Sequence, residues 1–214
     1  MHHYDVVFFD CDSTLIAIES LDVLGERMGV GKEVREMTAR SMGGEESFEH
    51  LFKKKIDLMR PHEEDVEVVA SLCVSALVPG ALDVVAALHR EGKRVYIVSS
   101  NFHTIVDTVA DALGIPRSFV LANDIFFDAD GAYAGIDENS PLCRNGGKPE
   151  MVRRHVRSGE RSVFVGDGMT DAATKNVADL FIGFGGVVER EAVRMYSDVY
   201  VVEPDLRSIL EHIL

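Results

Sequence analysis

The segment DCDST at residues 10–14 directly follows a short apolar run, VVFF, at residues 6–9. The run is brief, β-branched and aromatic, which predicts a buried β-strand. Asp10 and Asp12 therefore stand at the carboxyl end of a strand, which is where open α/β sheets bind ligands. Because residues two apart in an extended segment point to the same side, both carboxylates can face one ligand.

Two carboxylates this close repel each other, and the pKa of one rises unless a cation lies between them. The Asp10–Asp12 pair therefore indicates a metal site, an acid–base pair, or both. The alternative is an acidic turn in which Asp12 or Ser13 only caps the next helix. The pair alone leaves these alternatives open.

The composition limits the class of protein. With 214 residues, the chain is long enough for one large domain or one domain with a smaller insertion. The formal net charge of −14 disfavours nucleic acid and anionic membrane surfaces as partners. An anionic substrate would therefore need local positive charge from a metal or from a few placed cations.

The same composition predicts a cytoplasmic protein. No apolar run is long enough to span a bilayer, and the start, MHHYD, lacks the basic region of a signal peptide. Cys11, Cys73 and Cys143 are odd in number and show no metal-ligand spacing. They are expected to be reduced thiols.

The apolar pattern predicts two parts. Residues 17–77 carry apolar side chains at helical spacing and no convincing strand, which predicts an insertion of three or four helices. Beyond it, strands and helices alternate, which predicts a parallel α/β sheet with helices on both faces. Residues 124–136 surround an Asp-Gly pair and predict a β-hairpin. The predicted strands after the insertion cover residues 94–98, 118–122, 162–165, 180–183 and 199–202.

Three more polar clusters follow predicted strands or precede helices. Residues 99–101, SSN, offer hydroxyls and free N–H groups for an anion, or only an N-cap. In GGKP at residues 146–149, Lys148 can reach a phosphate as a point charge, or can be an ordinary surface lysine. In GDGMTD at residues 166–171, Asp167 and Asp171 are hard oxygen ligands that favour Mg²⁺, or a turn with a helix cap.

The order of these four clusters resembles the haloacid dehalogenase superfamily of phosphatases, and most closely its phosphoserine phosphatase branch. The resemblance covers nearly the whole chain, including the helical insertion and the hairpin. It implies the Rossmann-like core of the superfamily over residues 1–16 and 78–214, with a small helical cap domain over residues 17–77.

The resemblance also implies roles for individual residues. Asp10 would be the nucleophile that forms an aspartyl-phosphate, and Asp12 would be the general acid and base. Mg²⁺ would be held by Asp10, by the backbone carbonyl of Asp12 and by Asp167. Lys148 would neutralise charge near Asp10 and bind the phosphoryl group. The other implied contacts are Ser99, Ser100 and Thr170 to the substrate and Asp171 behind the metal or Lys148.

The cap would select the leaving group. Glu19 matches a position that meets a substrate ammonium group, and Met42 and Phe48 match apolar positions that line the pocket. Each has a simpler alternative, as a helix-dipole acid or as plain cap core.

Two positions depart from the family pattern. Lys55 replaces an arginine that grips the substrate carboxylate, so the charge remains but the two-pronged donor is lost. Residues 100–101 are Ser-Asn, where the family usually has two glycines.

The resulting prediction is a Mg²⁺-dependent phosphatase for a small phosphorylated metabolite, with phosphoserine as the leading substrate and a monomer or homodimer as the assembly. Histidinol phosphate and phosphocholine are alternative substrates, and a phosphotransferase is an alternative activity. A non-catalytic phospho-ligand sensor is the alternative from another class. A carbon–halogen dehalogenase is disfavoured because it would not need Asp12.

Overall fold

The computed structural model describes residues 4–214, so the part of the N-terminal prediction that concerns residues 1–3 lies outside the described residues. Its centre is a parallel sheet of six strands in the order β3-β2-β1-β6-β7-β8, beside a separate antiparallel hairpin of β4 and β5. The strands are β1 (Val6–Phe9), β2 (Arg94–Phe102), β3 (Val120–Asn123), β4 (Ile125–Phe127), β5 (Tyr133–Ile136), β6 (Ser162–Gly166), β7 (Leu180–Phe184) and β8 (Val199–Val201).

Helices connect and cover the strands, as the alternating pattern predicts. The α-helices are α1 (Ser20–Arg27), α2 (Gly31–Met42), α3 (Phe48–Met59), α4 (Glu63–Ser75), α5 (Ala81–Arg90), α6 (His103–Leu113), α7 (Gly147–His155), α8 (Met169–Ala172), α9 (Glu191–Tyr196) and α10 (Leu210–Ile213). Short 3-10 turns cover Arg117–Phe119, Pro141–Cys143, Ala173–Asn176 and Leu206–Ile209.

The sheet is buried on both faces, which explains why β1 is apolar at every position. Val7 and Phe9 belong to a large apolar cluster with residues of α5, α6 and α10. Val6 and Phe8 point the other way, into a cluster with residues of α7, α8 and α9. The predicted fold, a parallel sheet with helices on both faces, is confirmed.

The insertion forms the four helices α1–α4, between β1 and α5. Its apolar residues, such as Leu24 and Phe52, join the same cluster as Val7 and Phe9 of β1. Helix α4 packs against α6 of the sheet domain. Because one cluster spans both parts, burial does not separate them, and the division at residues 16/17 and 77/78 stays a prediction.

Several predicted bounds differ from the structure. Strand β2 runs to Phe102 rather than to Val98, because the polar residues 99–101 continue it through an irregularity in its pairing with β3. The sequence pattern predicts that Gly31 ends a helix together with Gly29, but Gly31 begins α2. Helix α9 has only six residues, of which Val193 is buried, and its apolar pattern is too short to predict it.

The three cysteines, Cys11, Cys73 and Cys143, form no disulfide bond. Within residues 4–214, no helix combines the length and the apolar composition that a membrane crossing requires.

Candidate active site

The candidate site is a cavity at the carboxyl ends of β1, β2 and β6, covered by helices of the insertion. Parallel pairing places these strand ends side by side, since Phe9 pairs with Ile97 and with Val165. The residues just beyond these pairs, which are Asp10 after β1, residues 99–101 in the last part of β2 and Asp167 after β6, therefore converge. Every predicted site residue except Asp171 lines the cavity, and Leu21, Phe52 and Asn101 line it as well.

Lys148 lies on the sheet side of the cavity, between the carboxylates of Asp10 and Asp171. Gly146, with φ of 77°, turns the chain into α7 and places Lys148 in its first turn. The ammonium Nζ lies 2.7 Å from Asp10 Oδ1 and 2.6 Å from Asp171 Oδ1. Burial alone would lower the pKa of Lys148, but the two carboxylates outweigh it and raise that pKa above its usual value. Lys148 is therefore a fixed cation beside Asp10.

Asp10 is buried at the end of β1. Burial raises its pKa well above the usual value, and the charge of Asp171 adds to this, while Lys148 opposes it. The carboxylate is thus held in a position where a further cation would be stabilising.

Asp171 lies behind the cavity, where it orients Lys148. Its Oδ1 accepts a hydrogen bond from Lys148, and its Oδ2 accepts one of 2.9 Å from the backbone N–H of Gly168. A Cβ atom at Gly166 would come within 2.4 Å of Asp171 Cγ, so this side chain can pack there only against glycine. This close approach explains why Gly166 and Asp171 occur together in the GDGMTD segment.

Asp12 is held by two donor residues. Ser20 Oγ lies 2.7 Å from Asp12 Oδ2 and 2.9 Å from Oδ1, and Asn101 Nδ2 lies 3.3 Å from Oδ2. Burial raises the pKa of Asp12 to about 7, helped by the charge of Glu19, while hydrogen bonds from Ser20 act in the opposite direction. At neutral pH this carboxyl is poised to give or take a proton.

Arg190 contacts two predicted site residues, Asp167 and Glu19, although the sequence pattern does not indicate it. Its guanidinium donates to Asp167 Oδ2, at 3.0 Å from both Nε and Nη2, and to Glu19 Oε1, at 3.2 Å from Nη2. Ser13, in the left-handed region with φ of 55°, donates to the same oxygen of Glu19 at 2.9 Å. Arg190 has no motif around it, and its partners lie far away along the chain, so no sequence signal could have found it.

The acidic groups on the sheet side of the cavity fit a divalent cation. One carboxylate oxygen from each of Asp10, Asp167 and Asp171 lies within 4.8 Å of the others. Burial raises the pKa of Asp167 to about 8, with the charge of Glu19 adding to it and Arg190 opposing it. Hard oxygen ligands that repel one another in a buried site are what Mg²⁺ or Ca²⁺ prefers. Both oxygens of Asp171 already accept hydrogen bonds, so Asp10 and Asp167 offer the freer ligand atoms.

The opposite wall comes from the insertion. Lys55 of α3 is buried, and its Nζ donates a 3.2 Å hydrogen bond to Thr38 Oγ1, which lies 2.5 Å from Asp22 Oδ1. Burial lowers the pKa of Lys55, although Asp22 and Glu19 act to raise it. Lys55 lines the cavity and is buried, so it points into the cavity rather than out to solvent.

Apolar side chains complete this wall. Phe48 stacks on Phe52 with ring centroids 5.4 Å apart, and Met42 lies beside them along the cavity.

Three hydroxyl residues lie on the sheet side of the cavity. Ser99 Oγ accepts a 3.1 Å hydrogen bond from the backbone N–H of Asn101, and Ser100 lines the cavity next to it. Thr170 Oγ1 is buried and has no hydrogen-bond partner among residues 4–214, which leaves it available to a ligand.

The cavity is narrow. The space for the centres of water-sized molecules is about 30 Å³. A phosphoric ester of an organic alcohol is larger, so we expect the cap helices to shift when one binds.

Comparison with known proteins gives a consistent result. The profile of the haloacid dehalogenase-like hydrolase family matches residues 7–174. The chloroplastic phosphoserine phosphatase of Arabidopsis thaliana is 38% identical over 199 residues, which cover 91% of this chain and 67% of that protein. Phosphoserine phosphatase of Homo sapiens is 36% identical over 201 residues, covering 93% and 89%.

Solved structures agree. A structure described as a phospho-aspartyl intermediate analogue of phosphoserine phosphatase superposes with a TM-score of 0.87 at 26% identity, over 100% of both chains. The match includes the sheet, the insertion and the strand ends that carry the site. The chain belongs to the haloacid dehalogenase-like hydrolases and, within them, to the phosphoserine phosphatase-like enzymes that hydrolyse phosphoric monoesters.

Proposed function

We propose that the protein is a Mg²⁺-dependent phosphatase that hydrolyses phosphoserine, or a related amino-acid phosphate, through an aspartyl-phosphate on Asp10. The observation that carries the proposal is the contact of buried Lys148 with both Asp10 and Asp171 at the strand ends. A fixed cation beside a strand-end carboxylate lets an anionic phosphate approach an anionic nucleophile in a protein of net charge −14.

In the first half-reaction, a carboxylate oxygen of Asp10 attacks phosphorus while the bond from phosphorus to the alcohol oxygen breaks. Asp12, protonated at this stage, gives its proton to the departing alkoxide, which leaves as the neutral alcohol. Lys148 and the hydroxyl of Ser99 bind phosphoryl oxygens, and the unpartnered hydroxyl of Thr170 donates to the same group.

In the second half-reaction, Asp12 takes a proton from a water molecule that attacks the phosphorus of the aspartyl-phosphate. The bond to Asp10 breaks, and inorganic phosphate and the original carboxylate are formed. Mg²⁺, held by Asp10, Asp167 and the backbone carbonyl of Asp12, would supply charge neutralisation for the phosphoryl group. Asp171 keeps Lys148 in place throughout.

The substrate assignment rests on the cap side of the cavity. Glu19 offers a carboxylate for an ammonium group, and Lys55 offers a buried cation for a carboxylate. A ligand with both charges next to a phosphate is an amino-acid phosphate, and the similarity to phosphoserine phosphatases supports phosphoserine. Met42 and Phe48 would pack against its carbon atoms. The cytoplasmic location and the monomeric or dimeric state stay predictions.

The test is phosphate release from phosphoserine, histidinol phosphate, phosphocholine and p-nitrophenyl phosphate, with Mg²⁺ and with a chelator. We expect the highest kcat/KM with phosphoserine, loss of turnover with the chelator, and no turnover by Asp10→Asn with any ester. Asp111→Asn, at an exposed ion pair, is the matched control and should behave like the wild type. An active Asp10→Asn protein would overturn the mechanism, and a different best ester would overturn only the substrate.

A further inference from the structure

Asn101, at the end of β2, makes side-chain contacts that the proposed chemistry has not yet used. It is buried, its Nδ2 lies 3.3 Å from Asp12 Oδ2, and the same nitrogen contacts Ser20 Oγ. Its Oδ1 accepts a 2.7 Å hydrogen bond from the backbone N–H of Phe102. Because the oxygen faces that donor, the amide nitrogen is fixed toward Asp12 and Ser20.

The direction of each hydrogen bond follows from these contacts. An amide nitrogen only donates, so Ser20 Oγ accepts from Asn101 and uses its single proton to donate to Asp12. The backbone N–H of Ser20 also points at Asp12 Oδ2, at 3.3 Å. The three groups arrive from two elements that are distant in the chain, β2 and the first turn of α1.

The two oxygens of Asp12 are therefore unequal. Oδ2 receives Asn101 Nδ2, the Ser20 N–H and the shorter of the two contacts from the Ser20 hydroxyl. Oδ1 receives only the longer contact, 2.9 Å, from the same hydroxyl. An oxygen that already accepts several hydrogen bonds is the poorer place for a proton, so a proton on this carboxyl belongs on Oδ1.

We propose that Asn101 and Ser20 are positioning residues that clamp Oδ2 of Asp12 and leave Oδ1 as the oxygen that delivers the proton to the leaving alcohol. The proposal rests on the proposed function, because it concerns the acid of that reaction. It gives a role to Asn101, which replaces a glycine of the family pattern. Glycine has no side chain that could make this contact.

The clamp matters most when the leaving group needs a proton. A strongly basic alkoxide or phenoxide leaves only if an acid protonates it, whereas p-nitrophenolate leaves readily as an anion. The parameter kcat/KM covers the steps up to transfer of the phosphoryl group to Asp10, so the later attack of water does not enter it. Comparing two aryl phosphates of similar shape isolates the acid from the contacts of Glu19 and Lys55.

The experiment measures kcat/KM for phenyl phosphate and p-nitrophenyl phosphate in the wild type, Asn101→Ala, Ser20→Ala and Ser20→Thr. We expect Asn101→Ala and Ser20→Ala to lower the value for phenyl phosphate about 10-fold or more, a part of the 10²–10⁴-fold that general acids supply. The value for p-nitrophenyl phosphate should change less than about 3-fold, and Ser20→Thr should restore the wild-type ratio.

Two controls give the result its meaning. Asp12→Asn sets the largest discrimination between the two esters that loss of the acid can produce. Asn123→Ala removes another buried amide, which donates to the carbonyl of Ser100 and does not touch Asp12. It should affect both esters equally.

Each outcome bears on the proposal. Equal losses for the two esters in Asn101→Ala and Ser20→Ala would overturn it and assign these side chains to plain support of the strand end. The two substitutions lie on different elements, so a folding defect in one leaves the other to decide. Failure of the proposed function looks different, because the wild type would then hydrolyse neither ester.

Discussion

Two buried lysines face the same cavity, and their surroundings differ. Lys148 belongs to the sheet wall, which comprises Asp10, Lys148, Asp167 and Asp171, and its ammonium contacts two carboxylates directly. Lys55 belongs to the cap wall, which comprises Glu19, Asp22, Thr38 and Lys55, and its ammonium contacts a neutral hydroxyl. Burial lowers the pKa of both lysines. The charges of Asp10 and Asp171 outweigh burial at Lys148 and raise its pKa. The charges of Asp22 and Glu19 do not outweigh burial at Lys55, so its pKa is lowered.

The difference in the partners of the two ammonium groups indicates a different role for each wall. Lys148 is paired with carboxylates before any ligand arrives, so under the proposed function it would meet the phosphoryl group of every substrate in the same way. Lys55 lacks a direct carboxylate partner among the described residues, and a buried cation of this kind is stabilised when a ligand brings an anion. Under the proposed function, the sheet wall would set the reaction and the cap wall would set the substrate.

The largest expected effect tests the sheet wall. Lys148→Met should lower kcat/KM about 10²–10³-fold or more with every phosphoester, because it removes the fixed cation beside the reacting phosphate. It also leaves Asp10 and Asp171 unpaired, which should cost about 3–5 kcal/mol of unfolding free energy without metal. Urea unfolding and a substrate panel measure both. A loss confined to amino-acid phosphates would break the comparison.

The same substitution at Lys55 should act in the opposite way on stability. Lys55→Met should raise KM for phosphoserine about 10–100-fold, since a hydrogen bond to a charged group contributes about 1.5–3 kcal/mol. KM for p-nitrophenyl phosphate should change less than about 3-fold, and the unfolding free energy should be unchanged or higher because a costly buried charge is gone. Lys54→Met, on the exposed side of α3, is the control. Equal effects on both esters would count against a carboxylate site.

The acids of the sheet wall and its neighbour Asp12 predict an unusual response to pH. The pKa values of Asp12 and Asp167 are raised from 3.8 to about 7 and about 8, so the native state keeps protons that the unfolded chain has released. Stability of the metal-free protein should therefore fall as pH rises from about 4 to about 8. Mg²⁺ competes with those protons, so it should raise the Tm more at about pH 8.5 than at about pH 5.5.

Differential scanning calorimetry with and without chelator measures this response. A change of about 1 kcal/mol corresponds to roughly 2–4 °C in a chain of this size, which is easily resolved. Asp167→Asn should flatten the slope of Tm against pH. A metal-free Tm that rises between about pH 5.5 and about pH 8.5 would mean that the native state does not retain these protons.

The smallest expected effect sharpens the description of the cap wall. Thr38→Val removes the hydroxyl between Lys55 and Asp22, so the ammonium loses its anchor but keeps its charge. KM for phosphoserine should rise about 3–10-fold, as for a single neutral hydrogen bond, with kcat unchanged. Thr38→Ser should restore the wild-type KM. A fall in kcat with both esters would instead assign Thr38 to the stability of the cap.

Asp10 and Asp167 of the sheet wall could be predicted because each directly follows a strand in a fixed local pattern. Lys148 lies in the first turn of α7, and its place at the site was implied by the family resemblance. A carboxylate after VVFF and another inside GDGMTD must meet when the two strands pair in parallel. The fold class followed from the same alternation of strands and helices. Both depend on neighbours in sequence and on the geometry of a parallel sheet.

The remaining contacts could not be predicted because they join residues that are far apart. Arg190 reaches Glu19 across 171 positions, and Asn101 reaches Ser20 across 81. The SSN segment by itself indicates an anion site or a helix cap, yet the structure also turns its asparagine toward Asp12. Such contacts arise from packing of α1 and the loop before α9 onto the sheet, which periodicity does not encode.

The narrow cavity predicts a limit on turnover. The space that it leaves is smaller than a phosphoric ester or its products, so we expect the cap helices to shift at least once in each catalytic cycle. The rate of that shift would be an upper bound on kcat, which faster chemistry at Asp10 or Asp12 could not exceed.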